Sequence, residues 1–416
     1  MFKKTDEQKV MRDPIHGYIH VDDQIIWDCI NAKEMQRLRR IHQLGGDFQI
    51  YHTAEHSRFA HSLGVYEIVR RMVNEIEELK LRLSDYEKLT VMLAGLLHDI
   101  GHGPFSHAFE AVSLTKHEEY TCKIITESSE VHSILARADA SLSKDIADII
   151  KGCHRNDLLN QIVSGQLDAD RMDYLLRDAY FTGTSYGHFD LERIIRTIRI
   201  VDQRMTVKES GIHSVEDYIM ARYHMYWQVY LHPVARSYEG LLVLLFRRMK
   251  DLYRKDPDEL REVGMLIPFL KETPATIDEL FLLDEAAAFY GLAVLRNHPD
   301  PILKDLTCRI LDRNLFEYET ISDEKRIAQL KQLAEAAGYL SDYYIYSDTA
   351  AQTLYSPYQR NESGHNIWIL GEDQTVKELS TISPLVHAVC HEKLKEDRKV
   401  YYPKEILQRN EKACSK

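Results

Sequence analysis

The sequence contains no Cys-x-x-Cys pair, and its six cysteines (29, 122, 153, 308, 390 and 414) stand far apart. That spacing argues against both a zinc ribbon and a disulfide framework. It has no basic excess either: 53 Lys and Arg face 65 Asp and Glu, for a net charge of −12. Without a cationic surplus for phosphates, nucleic acid is not expected as the main partner, although a local basic pocket for a small anion remains compatible. No apolar run reaches the ~18 residues of a membrane span, and the opening Met1 to Lys9 lacks an apolar signal core. No membrane association and a cytoplasmic location are therefore expected. Pro/Gly-rich linkers, internal repeats and low-complexity segments are also missing. What remains is the composition of a globular protein, 44% hydrophobic and 28% charged, and 416 residues suffice for one large core or two smaller domains.

The most informative stretch is Leu96-Leu97-His98-Asp99-Ile100-Gly101-His102-Gly103-Pro104-Phe105-Ser106-His107. Ser84 and Glu87 form a capping-box signature at the start of a helix leading into it. Val91, Leu93, Ala94, Leu96 and Leu97 bury that helix on most sides. A buried His-Asp pair at its end costs several kcal/mol unless compensated, and a metal ion compensates both groups. Gly101 and Gly103 are expected to give a tight exit, with His102 and His107 crowded alongside.

In chain order, residues 12–20 read as a short extended or turn segment around Pro14 and Gly17. A helix is expected over roughly 23–43, ending at Gly45-Gly46. Gln36, Arg39 and Arg40 group on its last turns, as either a solvated basic face or an anion site. Ser57 is a plausible N-cap for a helix to about 80, whose apolar stripe of Val65, Ile68 or Val69 and Met72 includes His61. His117-Glu118-Glu119 opens another helix, and 143–151 a further one. Asp170, Tyr174 and Asp178 line one helix face at i, i+4 and i+8, with Arg171 and Arg177 beside them. That stripe reads as surface or as a wall for a sugar and phosphates. Residues 213–254 form a long helical stretch that Pro233 should kink or break, on which Tyr223, Tyr226 and Tyr230 recur at core-like spacing. Beyond about 255, helical residues run to Tyr339. Strand-like pieces follow at Tyr343–Tyr346 and Ile367–Leu370, separated by a polar loop over 360–365, with a turn at Gly371. The expected fold is mainly α: a helical core over 1–255 and a smaller α+β C-terminal lobe over 256–416, docked rather than tethered.

His61, His98, Asp99 and Asp170 are the four residues expected to converge. Two imidazoles and two carboxylates suit a divalent transition metal such as Mn, Fe, Zn or Ni better than a calcium cage. His102, His107 and His117 would then supply proton donors or acceptors.

The order His…His-Asp…Asp resembles the HD superfamily of metal-dependent phosphohydrolases. Three longer strings are similar to deoxynucleoside triphosphate triphosphohydrolases (dNTPases): Arg58 to Val65, Leu97 to His107, and Asp170 to Asp178. The enterococcal and bacillar dNTPases resemble it most. The mammalian SAM-and-HD-domain dNTPase resembles it less, and its SAM domain has no counterpart in these residues. The likeness is strong over about 10–255 and weaker beyond. It implies an HD-domain helical core and hydrolysis of a dNTP to deoxynucleoside and inorganic triphosphate, by attack on the α-phosphorus, with a divalent metal (Mn, Fe, Zn, Ni or Mg). By the same resemblance Arg58, Arg171 and Arg222 would contact phosphates. Gln43 and Asp178 would bond the sugar 3′-OH, with Leu44 and Tyr174 beside them. Tyr230 would fill the place of a ribose 2′-OH. His107 would protonate the 5′-oxygen, supported by His102 and His117. A guanine-nucleotide activator (GTP or dGTP) would sit at Lys9, Val10, Gln36 and Arg39 in a homotetramer. Asn31 departs from the aspartate of the mammalian pattern, which leaves the activator's identity open. Two other readings stand beside this one: an HD phosphohydrolase for another nucleotide phosphoester, and a non-catalytic nucleotide sensor.

Overall fold

The computed structural model describes residues 2–110, 113–349, 366–391 and 397–408. The expected polar loop at 360–365, Cys414, and the side chains of His107 and Cys390 lie outside the described residues. Among the described residues the fold is mainly helical, with three small sheets.

The central layer is built by three helices. Arg58–Glu75 packs against Asp85–Leu97 on one side and Ala169–Thr182 on the other. Each start is capped as its sequence dictates. Ser57 accepts from Ala60 N–H, Ser84 and Glu87 form a reciprocal capping box, and buried Asp168 accepts from Arg171 N–H. Gly183 closes the third helix with φ 70°, where a side chain would be strained. Gly64 permits the closest approach: a Cβ there would strike the Asp173 carboxylate and the Arg177 guanidinium.

Several sequence expectations need correction. The single helix over 23–43 is two, Gln24–Asn31 and Lys33–Arg37, followed by a 3₁₀ turn at Leu38–Arg40. Ala32 breaks it, buried and extended at φ −62°, ψ 145°. Side chains meet the carbonyls freed at the break: Asn31 Nδ2 donates to Trp27 O and Gln36 Nε2 to Ile30 O, both at 2.7 Å. The helix from Ser57 stops at Glu75, not 80, because Ile76 turns extended into the core before Glu77–Arg82 resumes. Tyr343 and Tyr344 belong to a helical turn, Ser341–Tyr344, with the strand following at Tyr346–Thr349. There Tyr343 bonds Asp251 at 2.7 Å and Tyr344 is buried, so tertiary contacts override β propensity. The 12–20 segment is the turn and return of an antiparallel hairpin, Lys4–Asp13 with Gly17–Asp23.

Pro233 breaks the long helical stretch as expected. Ile212–Met225 runs into a π-helical turn, Tyr226–Tyr230, and Pro233 then starts Pro233–Lys255. At an N-terminal position its missing N–H costs nothing. The sheet of Ile198–Val201 and Arg204–Lys208 is extended by Trp368–Leu370, which pairs in parallel with Arg204–Lys208, and then by Val376–Glu378. A separate antiparallel sheet joins Glu317–Thr320, Arg398–Tyr402 and Tyr346–Thr349. Among the described residues, no helix is long and apolar enough to cross a membrane.

Candidate active site

The helical layer delivers His61, His98, Asp99 and Asp170 to one place. His61 lies one turn inside the Arg58–Glu75 helix, His98 caps Asp85–Leu97, and Asp170 opens Ala169–Thr182. His61 Nε2 is 3.0 Å from Asp170 Oδ1 and 3.9 Å from Asp99 Oδ2. His98 Nε2 is 3.5 Å from Asp170 Oδ1 and 3.4 Å from Asp99 Oδ1. Both imidazoles are held from behind: His61 Nδ1 by Asp173 Oδ2 at 2.8 Å, His98 Nδ1 by Gly95 O at 2.9 Å. Those acceptors put the proton on each Nδ1 and aim the Nε2 lone pairs forward. Yet both Nε2 atoms are buried with no hydrogen bond, a cost of about 1–3 kcal/mol each. A divalent cation among them removes that cost, and His61, His98 and Asp170 each place one ligand atom within 4.8 Å of the others. Burial opposes a charged His61, but the neighbouring Asp170 and Asp173 carboxylates outweigh it and lift the imidazole to about 10. A cation would take the place of that proton.

Asp99 faces two ways. Its Oδ2 takes Arg58 Nη1 at 2.5 Å, and its Oδ1 lies 3.4 Å from His102 Nε2. Burial would raise this carboxyl, but His98, Arg58 and His102 hold it well below the usual range. His102 is pushed well below its own range by burial, Arg58 and His117, so it is neutral at pH 7. Its ring stacks on His117 at 3.7 Å, and His117 Nδ1 pairs with Glu110. The loop between His102 and His107 carries two successive left-handed residues, Phe105 (φ 59°) and Ser106 (φ 48°). Strain of this kind costs of order 1–3 kcal/mol per residue. Side chains hold it: Glu285 Oε1 accepts Phe105 N–H at 3.2 Å, and Ser106 Oγ accepts Arg58 Nη2 at 2.7 Å and donates to His42 O at 3.3 Å. The glycines expected at the tight helix exit lie before this pair and permit close packing. Gly101 allows the start of the His117–Thr126 helix to approach, and Gly103 makes room for Phe109.

Residues 58–178 match the HD domain family and residues 189–266 the HD associated region. An uncharacterized protein of Bacillus subtilis, YwfO, is 42% identical over 97% of this chain and 94% of its own length. The deoxynucleoside triphosphate triphosphohydrolase SAMHD1 homolog of Dictyostelium discoideum is 31% identical over 85% of this chain and 68% of its own. This chain is a dNTPase-like member of the HD superfamily. A phosphohydrolase crystal structure from Bacteroides thetaiotaomicron superposes with a TM-score of 0.81 at 30% identity, covering 95% of this chain and all of that one. The HD fold and its His/Asp cluster make the protein a metal-dependent phosphohydrolase.

On the far side of the HD cluster, Asp178 is buried between His56 Nε2 at 2.7 Å and the Tyr230 hydroxyl at 2.8 Å. Tyr174 stands between the two regions, its ring 6.4 Å from His61 and 6.1 Å from Tyr230. The Tyr174 hydroxyl and Gln43 Oε1 are buried and find no hydrogen-bond partner among the described residues. Leu44 is buried next to Gln43. Arg171 pairs with Asp168 and Arg222 with Gln166, both beside the helix start that holds Asp170. The four residues expected at an activator site are only partly joined. Arg39 bonds Gln36 at 2.8 Å and lies 3.7 Å over the Phe59 ring, whereas Lys9 pairs with Glu7 and Val10 is exposed on the hairpin. Among the described residues no hydrogen bond links the two pairs, and Arg40 turns away to Asp284.

Sequence reasoning missed the residues behind the HD cluster. Asp173 carried a signal, since it repeats one turn after Asp170. His16 fell only within the turn segment at 12–20, and His56 was given no role. Glu285 carried none, because it stands 180 residues from the loop it holds.

Proposed function

We propose that this HD phosphohydrolase splits deoxynucleoside triphosphates into deoxynucleoside and inorganic triphosphate. One observation carries the reading. A single helix, Ala169–Thr182, presents Asp170 to the metal cluster, Tyr174 to the middle of the site and Asp178 to the Tyr230 hydroxyl. Eight residues of helix span roughly 12 Å, so one rigid element sets the distance between bond cleavage and sugar recognition.

On this reading His61, His98, Asp99 and Asp170 hold a divalent metal, one of Mn, Fe, Zn, Ni or Mg. When bound, it supplies Lewis-acid polarisation of a phosphoryl oxygen. Arg58, Arg171 and Arg222 balance the negative charge of the triphosphate. Gln43 and Asp178 accept and orient the sugar 3′-OH beside Leu44 and Tyr174. Tyr230, fixed by Asp178, fills the space a 2′-OH would need. Water adds to the α-phosphorus as its bond to the 5′-oxygen breaks, His107 delivers the proton to that oxygen, and neutral His102 and Glu110-oriented His117 support it. The same reading includes a guanine-nucleotide activator at Lys9, Val10, Gln36 and Arg39, a homotetramer, and action in the cytoplasm.

The test is an assay of purified protein with each dNTP, with and without GTP or dGTP, reading inorganic triphosphate. Triphosphate release from dNTPs but not from ribonucleotides is expected. Release of orthophosphate or pyrophosphate instead, or turnover only of monophosphates or cyclic dinucleotides, would overturn it.

A further inference from the structure

The turn of the N-terminal hairpin reaches into the support of the metal cluster. Asp13 Oδ1 accepts the backbone N–H groups of Ile15 at 2.9 Å and His16 at 3.0 Å, which shapes the turn. Its Oδ2 takes Arg177 Nη1 at 2.8 Å. Arg177, fully buried, continues to Asp173, with Nε on Oδ2 and Nη2 on Oδ1, both at 2.9 Å. His16 Nε2 meets the same Asp173 Oδ1 at 2.6 Å, and Asp173 Oδ2 ends the chain on His61 Nδ1 at 2.8 Å. The His16 and Asp173 side chains are 2% and 0% exposed.

Each partner has a separable job. Arg177 neutralises the Asp173 carboxylate and grips both of its oxygens along one edge. His61 and His16 pull on opposite oxygens, so the carboxylate is balanced between the metal cluster and the hairpin turn. With His16 gone, Oδ1 keeps only the Arg177 contact, and the carboxylate can swing toward that guanidinium and away from His61. The imidazole then loses the acceptor that fixes its tautomer and its angle. Gly64 lets the helix backbone pack close against this carboxylate, so its angle is set by the hydrogen bonds to its two oxygens.

We propose that His16 is a positioning residue for His61, acting through Asp173, so that the seating of the N-terminal hairpin sets how tightly the site holds its cation. This rests on the metal-dependent reading of the cluster and on no assumption about substrate. The hairpin strand that ends at this turn also carries Lys9 and Val10, so a shift of the hairpin is felt at a metal ligand.

The test uses the full chain loaded with Mn(II), reading metal retention against a graded chelator and the melting temperature of the metal-free form. His16→Ala should retain Mn(II) about 10–100-fold less tightly, the usual effect of losing such a supporting contact. His16→Gln carries its amide N–H to the position of Nε2 and should restore retention to within a few-fold of wild type. If His16→Ala does not fold, His16→Asn, whose amide falls short at the position of Nδ1, is read against His16→Gln and should show the loss. Unchanged retention in His16→Ala overturns the proposal, and so does an equal loss in the Gln variant, since that marks packing alone. A wild type that retains neither Mn(II) nor any of Fe(II), Zn(II), Ni(II) and Mg(II) overturns the metal reading itself, whereas a wild type that retains Mn(II) beside an indifferent His16→Ala overturns this proposal alone.

Discussion

Tyr230 donates its hydroxyl to Asp178 Oδ2 at 2.8 Å, so the ring proposed to exclude a 2′-OH is held by the carboxylate proposed to bind the 3′-OH. The two selections, for a deoxysugar and for a free 3′ end, are therefore coupled through one side chain.

Asp178→Asn should weaken dNTPs far more than their 2′,3′-dideoxy analogues. A hydrogen bond to a charged acceptor is worth about 1.5–3 kcal/mol, or roughly 10–150-fold. Binding of both substrate types, measured side by side, decides it. Equal losses would remove Asp178 from the sugar pocket.

His98→Ala and Asp170→Ala should each abolish hydrolysis and lower bound metal, because each removes a ligand from the cluster. Metal content by elemental analysis, paired with turnover, is the check. Wild-type turnover at full metal occupancy in either variant would contradict the cluster as drawn.

Glu285 gives a prediction about pH. Burial lowers the His42 pKa, but the hydrogen bond and charge of Glu285 outweigh it and raise His42 above its ordinary value. A raised folded-state pKa means the pair's contribution is complete below the unfolded value of about 6.5. It is lost as pH climbs through the higher folded value. Glu285→Gln should flatten that part of the pH–stability curve, which melting temperatures taken between pH 5.5 and 9 would show. The same variant should slow turnover, because Phe105 N–H loses its charged acceptor at the strained loop.

Arg39→Ala should leave metal content intact and lower activity mainly by removing activation by GTP or dGTP. Coupling of this kind amounts to about 1–3 kcal/mol, or 5–150-fold. Activity across an activator titration, with mass by light scattering, tests both the coupling and the tetramer. A wild type fully active without guanine nucleotide would rule it out.

The helices that build the metal cluster were legible because their signals are local. Ser57, Ser84 with Glu87, and the 3.6-residue periodicity each act within one or two turns. The approach of His61, His98 and Asp170 followed from chemistry, since buried imidazoles and carboxylates need a common partner. The break at Ala32 was not legible, because Asn31 and Gln36 satisfy its backbone through side chains that also suit a continuous helix. The left-handed pair was not legible for a related reason. Glycines signal such conformations, but here Phe105 and Ser106 adopt them under tertiary constraint from Arg58 and Glu285.

That constraint has a temporal side. All four cluster residues and Arg58 are made before residue 171, while the carboxylate that fixes Phe105 is 180 residues downstream of it. Asp170, the last of the cluster, precedes Glu285 by 115 residues, so at synthesis rates of about 5–20 residues per second the gap between them is roughly 6–23 s. A ribosome-bound chain can thus assemble its metal ligands well before the loop leading to His107 acquires its shape. In the order of synthesis, the residues proposed to hold the cation come first, and the distal helix that shapes the loop toward His107 comes after them.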